Sequence, residues 1–482
     1  MFLGINSLNH DASICLTDGA EIKFAGHAER YSRIKNDKEL NSDIFDDALR
    51  YGEPHAVIWY EKPISKAIRR LYTGETPVYQ SPRFHMAKHG FDLPLVTVPH
   101  HAAHAAMGFY TSKFEDAAVV VVDAIGEWDT TTIWHAGPTG LKRVYESKYP
   151  DSMGLFYSAA TDAIGLRPNE EEYILMGMAA LGKPVYADLL RKTLFSDWNP
   201  PYLDMKYNLH KGMKHIINTE KMDHADFAAS VQAIFEEYLY GVCSFARDTI
   251  KSKNLILVGG CALNCVANGL IANTDWFENI WVPPNPGDAG LSLGAIAYHI
   301  KRKISFEHAY LGYDIKQHVD VSSVVDYLKH GLVIGIANGR AEFGPRALGN
   351  RSILADPRGP DVKDRVNEFK HREQFRPFAP AILEEHASKY FDIKSNHDYM
   401  QFAVRCKRPD LFPAIVHVDG TSRVQTVPKN SPSILRPILE SWYARSGCPM
   451  LLNTSMNIKG QPLVNDEREA RLFSRSTGIP TF

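Results

Sequence analysis

The stretch AAVVVVDAIGEWDTTTIWHAGPTGLKRVY at residues 117–145 decides the reading of the fold. Ala117 to Val122, with valine at four successive positions, reads as a buried strand ending in a lone carboxylate, Asp123. Thr130 to Trp134 is a second strand, Gly137-Pro138-Thr139-Gly140 a tight turn, and Leu141 to Tyr145 a third strand. Working outward, the N-terminal FLGINSLNHDASICLTDGAEIKF at 2–24 has the same grammar. Phe2 to Ile5 is apolar, His10 and Asp11 stand in a polar loop, and Ala12 to Leu16 is the next strand. Thr17-Asp18-Gly19 then turns into Glu21 to Phe24.

Two copies of strand, polar loop, strand, turn, strand suggest a duplicated α/β core of the actin-like kind, which binds nucleotide between its halves. Between 224 and 250 the apolar residues Phe227, Val231, Ile234, Phe235, Tyr238 and Leu239 recur at helical spacing and predict a long amphipathic helix. The strand Leu255 to Val258 follows and ends in Gly259-Gly260. Lys301-Arg302-Lys303, with non-periodic sequence to about 316, reads as a connection between domains. From Gly331 a second α/β unit opens with the strand Leu332 to Ala337, and Gly478 to Phe482 reads as a tail.

The 482 residues are enough for two or three domains, and 44% hydrophobic against 23% charged is an ordinary globular balance. With 54 Lys+Arg against 56 Asp+Glu the net charge is -2, so a polyanion partner would need a local basic patch. Cys15, Cys243, Cys261, Cys265, Cys406 and Cys448 form no paired framework, which suits a reducing cytoplasm. The N-terminus lacks a basic region followed by a long apolar stretch, and no run reaches membrane-spanning length, so a cytoplasmic protein without a membrane partner is expected.

His100 and His104, in Pro99-His100-His101-Ala102-Ala103-His104, are one helical turn apart, so both imidazoles can converge on one cation. Surface or core histidines are the plain alternative. Asp123 emerges where open-sheet sites form, and Asp288 lies in the glycine-rich Asn285-Pro286-Gly287-Asp288-Ala289-Gly290. Two His and two Asp suit Fe(II), Mn(II) or Zn(II), and the ligands alone do not choose among them.

These segments carry a resemblance. HDAS at 10–13, HHAAH at 100–104, GLFYS at 154–158, GGCALN at 259–264 and NPGDAGLSLGA at 285–295 resemble the NodU/CmcH family of O-carbamoyltransferases. So do EFGPRALGNRSILADPR at 342–358, REQFRPFAPAIL at 372–383, HVDGTSRVQTV at 417–427 and LLNTSMN at 451–457. The resemblance implies an actin-like (ASKHA-type) domain over 1–305 that transfers the carbamoyl group. It implies a YrdC-like α/β domain over 316–482 that makes a carbamoyl adenylate from carbamoyl phosphate and Mg2+-bound ATP. By the same similarity His100, His104, Asp123 and Asp288 are iron-site positions, and His10 is the acceptor-activating residue. Arg346, Lys370, Arg376, Arg423, Asn453 and Ser455 match the pocket for carbamoyl phosphate and ATP, and Gly259, Gly260 and Asn264 are nucleotide-binding candidates. One departure is Ile174, which stands where the family carries lysine.

Residue chemistry fits that division. Carbamoyl phosphate and ATP are strongly anionic, and residues 340–376 hold Arg340, Arg346, Arg351, Arg358, Arg365, Arg372 and Arg376 among Gly, Pro, Phe and Leu. His10 can take a proton near working pH, or cap the segment that follows it. A tRNA threonylcarbamoyl transferase would share the first fold, but the arginine-rich second domain and its GNRSILADPR block argue against it. A non-catalytic nucleotide-binding protein could keep the fold as a scaffold, but the presence of all four metal positions and both adenylate-pocket arginines argues against that.

The acceptor is read from residues 61–90. Lys62, Lys66, Arg69, Arg70, Arg83 and Lys88 are interleaved there with Tyr72, Tyr79 and Phe84, and Lys206 to Lys211 with Lys214 forms a second such stretch. Cations with rings suit a nucleic-acid strand and an extruded base, although two solvated loops would look the same. A hydroxymethyl group on 5-hydroxymethylcytosine in DNA is the acceptor expected, in a host cytoplasm if the protein is phage-encoded; a small sugar-like or antibiotic alcohol is the alternative. Self-association into a homodimer is left open.

Overall fold

The computed structural model describes residues 1–76, 79–395 and 397–482. Its strands follow the duplication. β1 (Phe2–Asn6), β2 (Ser13–Asp18), β3 (Glu21–His27), β4 (Ala56–Trp59) and β5 (Leu95–Thr97) form one sheet in the order β3-β2-β1-β4-β5. β6 (Ala117–Gly126), β7 (Asp129–Gly137) and β8 (Gly140–Lys148) open a second sheet. A hairpin of β9 (Phe195–Asn199) and β10 (Tyr202–Met205) intervenes before β11 (Asn254–Val258) and β12 (Asn279–Trp281) complete that sheet in the order β12-β11-β6-β7-β8.

Read from the opposite edge, the second order repeats the first. β1 and β6 are the central strands, each antiparallel to its meander neighbour and parallel to the strand on its other side. Valines 119–122 are at most 2% exposed, as a strand covered on both faces requires.

The helix expected at 224–250 is His224–Ile250, with all six of its periodic apolar residues buried. Asp223 starts it by accepting the N–H groups of Ala225 and Asp226 at 2.9 and 3.0 Å, and Lys251 ends it in the left-handed region at φ 59°.

The contacts divide the chain into two compact units. The first comprises 1–9, 13–22 and 52–306; the second comprises 10–12, 23–51 and 307–482. The second therefore holds chain from before residue 52 as well as the C-terminal part. Its main sheet orders β14 (Ile334–Ala337), β16 (Arg351–Ala355), β21 (Met450–Ser455), β17 (Ala379–Leu383) and β20 (Gln425–Val427) side by side. Two ribbons accompany it, β13 (Tyr310–Ile315) with β15 (Gly339–Glu342), and β18 (Ala403–Arg405) with β19 (Thr421–Arg423). The architecture is mixed α/β.

Two sequence expectations change here. The stretch to about 316 is not all connection, because Tyr310–Ile315 pairs with β15 across an irregular register that leaves no clean alternation to read. Residues 478–482 are not a loose tail: Pro480 and Phe482 exchange backbone hydrogen bonds with Gly335 and Ala337 at 2.8–3.0 Å, filling the edge of β14.

Candidate metal centre and anion pocket

The first unit gathers four of the expected residues at one point. His100 and His104 lie on the helix His100–Thr111, Asp123 on β6, and Asp288 at the turn before the helix Leu291–Ile300. All four are buried, and one ligand atom from each lies within 4.8 Å of every other. The Nε2 atoms of the two histidines are 3.2 Å apart. Each also faces Oδ2 of Asp123, at 3.1 and 3.3 Å, and Oδ1 of Asp288, at 3.5 and 3.4 Å.

Burial alone would push His100 down. The carboxylates of Asp288 and Asp123 outweigh it and hold the imidazole well above its ordinary value. Asp123 is driven well below the usual carboxylate range despite its burial, because both imidazoles bond to it. Four lone-pair donors aimed at one buried point, with no lysine or arginine among them, fit a divalent cation.

The loops explain the convergence. Asp123 Oδ1 accepts from the N–H groups of Ala124 at 2.8 Å and Gly260 at 3.3 Å, which leaves Oδ2 to face the imidazoles. Gly259 must be glycine: its φ is +91° and a Cβ would lie 2.2 Å from the carbonyl oxygen of Val122. Gly126 must be too, since a Cβ there would lie 2.4 Å from Cδ2 of His100.

Glu127, which the sequence reading missed, accepts the N–H groups of His100 at 3.3 Å and Lys62 at 2.5 Å. It thereby places a carboxylate at the N-terminus of the helix that carries His100 and His104. Its signal was local: an acidic residue four positions after Asp123 in a turn. Asn264 is engaged within the fold, exchanging amide hydrogen bonds with Gln232 at 2.9 and 3.1 Å and capping the following helix through Ala267 N–H. Ile174 is fully buried in the helix Glu172–Ala179, so no cation stands there.

The second unit sorts the arginines. Arg351, wholly buried, donates to the carbonyls of Asn338, Gly339, Asn350, Asn465 and Tyr313 at 2.9–3.1 Å and is a structural brace. Arg340 donates to the carbonyls of Lys23, Leu311 and Gly312. Arg358 pairs with Asp356, and Arg365 with Asp361. Arg372 lies over the ring of Phe378 at 4.0 Å.

Arg346 stands half-buried on the loop after β15, and Arg423 half-buried on β19. Lys370 is buried and donates to Ser455 Oγ at 3.2 Å and to the carbonyl and side-chain oxygens of Asn457 at 2.9 Å. Burial, then the charges of Arg372, Arg376 and Lys35, push its ammonium well below the ordinary lysine value. Arg376 pairs with Glu373 at 3.3 Å, and Glu373 also takes Lys459. Lys370 and Ser455 are thus brought together in a cluster with a surplus of positive charge.

Asn453 is buried and donates to the carbonyl of Ala347, next to Arg346, and to Gln425. His10, in the second unit by its contacts, has Nδ1 2.9 Å from Oδ2 of Asp11.

The two basic and aromatic stretches lie side by side. His210 Nδ1 is 3.4 Å from Oε1 of Glu75, and Arg69 sits 5.7 Å over the ring of Tyr149, whose centre is 6.2 Å from that of His210. The cations of residues 62–70 are buried or half-buried, whereas Lys206, Lys211 and Lys214 are exposed. Lys66 is buried on Glu61, Lys62 donates to Thr97, Arg70 lies 3.8 Å from Glu75, and Lys214 bonds Asp162. The helix Pro63–Tyr72 instead shows solvent Ile64, Ile68, Leu71 and Tyr72, followed by Tyr79 and Phe84 with exposed Arg83 and Lys88. Residues 77 and 78 of this stretch lie outside the described residues. Among the described residues, no helix is long and apolar enough to cross a membrane.

Comparison with known proteins covers both units. Residues 58–297 match the family model for the carbamoyltransferase N-terminus, and residues 325–481 that for the carbamoyltransferase C-terminus. The chain is 33% identical to nodulation protein NolO of Bradyrhizobium diazoefficiens, over 77% of this chain and 75% of that one. It is 34% identical to nodulation protein U of the same organism, over 80% and 75%. An uncharacterized protein of Synechocystis is 31% identical over 98% and 94%. Among solved structures, full-length HypF in its phosphate- and nucleotide-bound form aligns with 62% of this chain and 55% of its own, at 14% identity and a TM-score of 0.35. With both halves matched in order and relatives aligned over most of their length, this chain belongs to the carbamoyltransferase family.

Proposed function

We propose that the protein is a metal-dependent O-carbamoyltransferase that uses carbamoyl phosphate and ATP. The observation that carries the reading is the buried convergence of His100, His104, Asp123 and Asp288 at the strand ends of the duplicated core, which we read as actin-like. In the second unit, read as YrdC-like, Arg346, Lys370, Arg376 and Arg423 hold the anionic substrates. Carbamoyl phosphate, ATP and one water give a carbamoyl adenylate, phosphate and pyrophosphate. The acceptor hydroxyl then attacks the carbamoyl carbon, AMP departs, and His10 takes the hydroxyl proton, oriented by Asp11. A cation such as Fe(II), when bound, supplies Lewis-acid polarisation of a phosphate or carbamoyl oxygen. All six cysteines are free, which suits work in a reducing cytoplasm.

The test separates the half-reactions. His100→Ala should lose bound metal and transfer to acceptor, yet keep pyrophosphate release from carbamoyl phosphate plus ATP. Arg346→Ala should slow pyrophosphate release by roughly 10²–10³-fold and keep its metal. A single lesion abolishing both half-reactions in a folded protein rejects the division of labour.

For the acceptor, the adjacency of the two stretches supports a nucleic-acid strand carrying 5-hydroxymethylcytosine. Exposed Tyr72, Tyr79 and Phe84 offer rings, and Arg83 and Lys88 offer phosphate contacts. Labelled carbamoyl phosphate should then mark hydroxymethylated DNA, with activity falling steeply as salt rises. Labelling of a free small alcohol alone, independent of salt, favours the other acceptor class.

A further inference from the structure

The loop Phe343–Asn350 is built around a buried anion of the protein's own. Glu342 is 2% exposed, and its Oε1 accepts three backbone N–H groups: Leu348 at 2.8 Å, Asn350 at 2.9 Å and Arg351 at 3.2 Å. Its charge is balanced by Arg30, also buried, whose Nη1 lies 3.9 Å from Oε2 and whose Nη2 donates to the carbonyl of Gly344 at 2.8 Å. The opposite, carbonyl side of the loop is held as firmly. Tyr310 Oη and Gln425 Nε2 donate to the carbonyl of Leu348 at 3.0 and 2.8 Å, and Asn453 Nδ2 to that of Ala347 at 3.1 Å. Gln425 Oε1 accepts from Asn453 at 2.7 Å, so the two amides form one clamp. Arg346 lies between two anchored carbonyls, that of Gly344 on Arg30 and that of Ala347 on Asn453, and directly precedes the clamped run 347–351.

So many committed partners for eight residues exceed what is needed to close a turn. A turn needs one hydrogen bond across its ends, whereas here the carboxylate of Glu342 gathers N–H groups the way a bound phosphate does. We infer that Glu342, with the Gln425–Asn453 clamp, is a positioning element that fixes Arg346 for the phosphate of carbamoyl phosphate or ATP. This rests on the proposed role of Arg346 and assigns none of the three a contact with substrate. It also moves Asn453 from the group expected to bind cofactor to the group that acts through the loop. The physical advantage is that an arginine on a pre-set backbone loses little freedom when it engages an anion.

A double-mutant cycle on the full-length protein tests it, following pyrophosphate release at varied carbamoyl phosphate and varied ATP. Glu342→Gln and Gln425→Leu should each raise the KM for one of the two substrates by roughly tenfold, with a smaller change in kcat. In an Arg346→Ala background the same changes should cost almost nothing further, because the residue they position is gone. Equal losses in both backgrounds would overturn the inference and leave the role of Arg346 standing. A near-normal KM and kcat for Arg346→Ala alone would overturn that role, and the inference with it. Should Glu342→Gln fail to fold, Gln425→Leu, which removes only a neutral side chain, completes the cycle by itself.

Discussion

Gly126 shows how much of the candidate metal centre is set by a residue outside the four-residue cluster. Its missing side chain is the space occupied by the ring of His100, with His101 Cδ2 only 2.6 Å from where a Cβ would be. Gly126→Ala should therefore displace both rings. We expect a loss of about 1–3 kcal/mol in stability from overpacking, together with at least tenfold weaker metal binding, read by denaturant titration and by metal content after dialysis. Unchanged metal content would show that the strand can yield there. Such a residue was invisible in the sequence, where Gly126 looked like any turn glycine. His100, His104, Asp123 and Asp288, by contrast, were legible because each carries its chemistry in its own side chain.

Elements were read best where one physical signal dominated. The helix His224–Ile250 announced itself through its buried stripe, and the meanders through their Asp-Gly and Gly-Pro-Thr-Gly turns. The cap residue Asp223 should contribute about 1 kcal/mol to that helix, so Asp223→Ala is expected to lower Tm by a few degrees without touching metal content or pyrophosphate release. A larger fall would mean that the cap serves more than its own helix. What remained hidden was pairing across distance. β13 and β15 make a short ribbon whose strands lie more than twenty residues apart, and residues 480–482 find their partner near 335. Neither pairing has a local pattern, since backbone groups do the bonding and any side chain can ride along. The arginine-rich run was misleading for a related reason. Arg351 and Arg340 serve buried carbonyls, a role that sequence cannot tell from phosphate binding until the carbonyls are in place.

At the scale of the whole molecule, buried neutral histidines set the acid limit. Burial, aided by Arg30, holds His27 at about 3. Burial with His89 and Lys88 holds His85 at about 4, and burial alone holds His397 at about 4. In the unfolded chain each takes a proton near pH 6.5. Between that value and the folded ones the unfolded state binds more protons, so stability is full above pH 6.5 and declines as the pH falls toward 4. The free energy of unfolding should fall between pH 7 and pH 5 by roughly 2 kcal/mol for each of these histidines, about 6 kcal/mol in all, and the denaturation midpoint should fall with it. His397→Gln should flatten that dependence; a midpoint indifferent to pH over this range would contradict it.

The outward row of Ile64, Ile68, Leu71 and Tyr72 has a colloidal consequence for the entire molecule. Each is more than half exposed, on a protein with net charge -2 and an isoelectric point near 6.9. Long-range repulsion between copies is therefore weakest close to neutrality, just where a greasy patch most needs it. The second virial coefficient from light scattering should pass through a minimum near that pH and become more negative with ammonium sulfate, which strengthens apolar association. Ile68→Glu with Leu71→Glu should lift the minimum. If the doubly charged variant precipitates at the same salt concentration as the parent, the patch is not what limits its solubility.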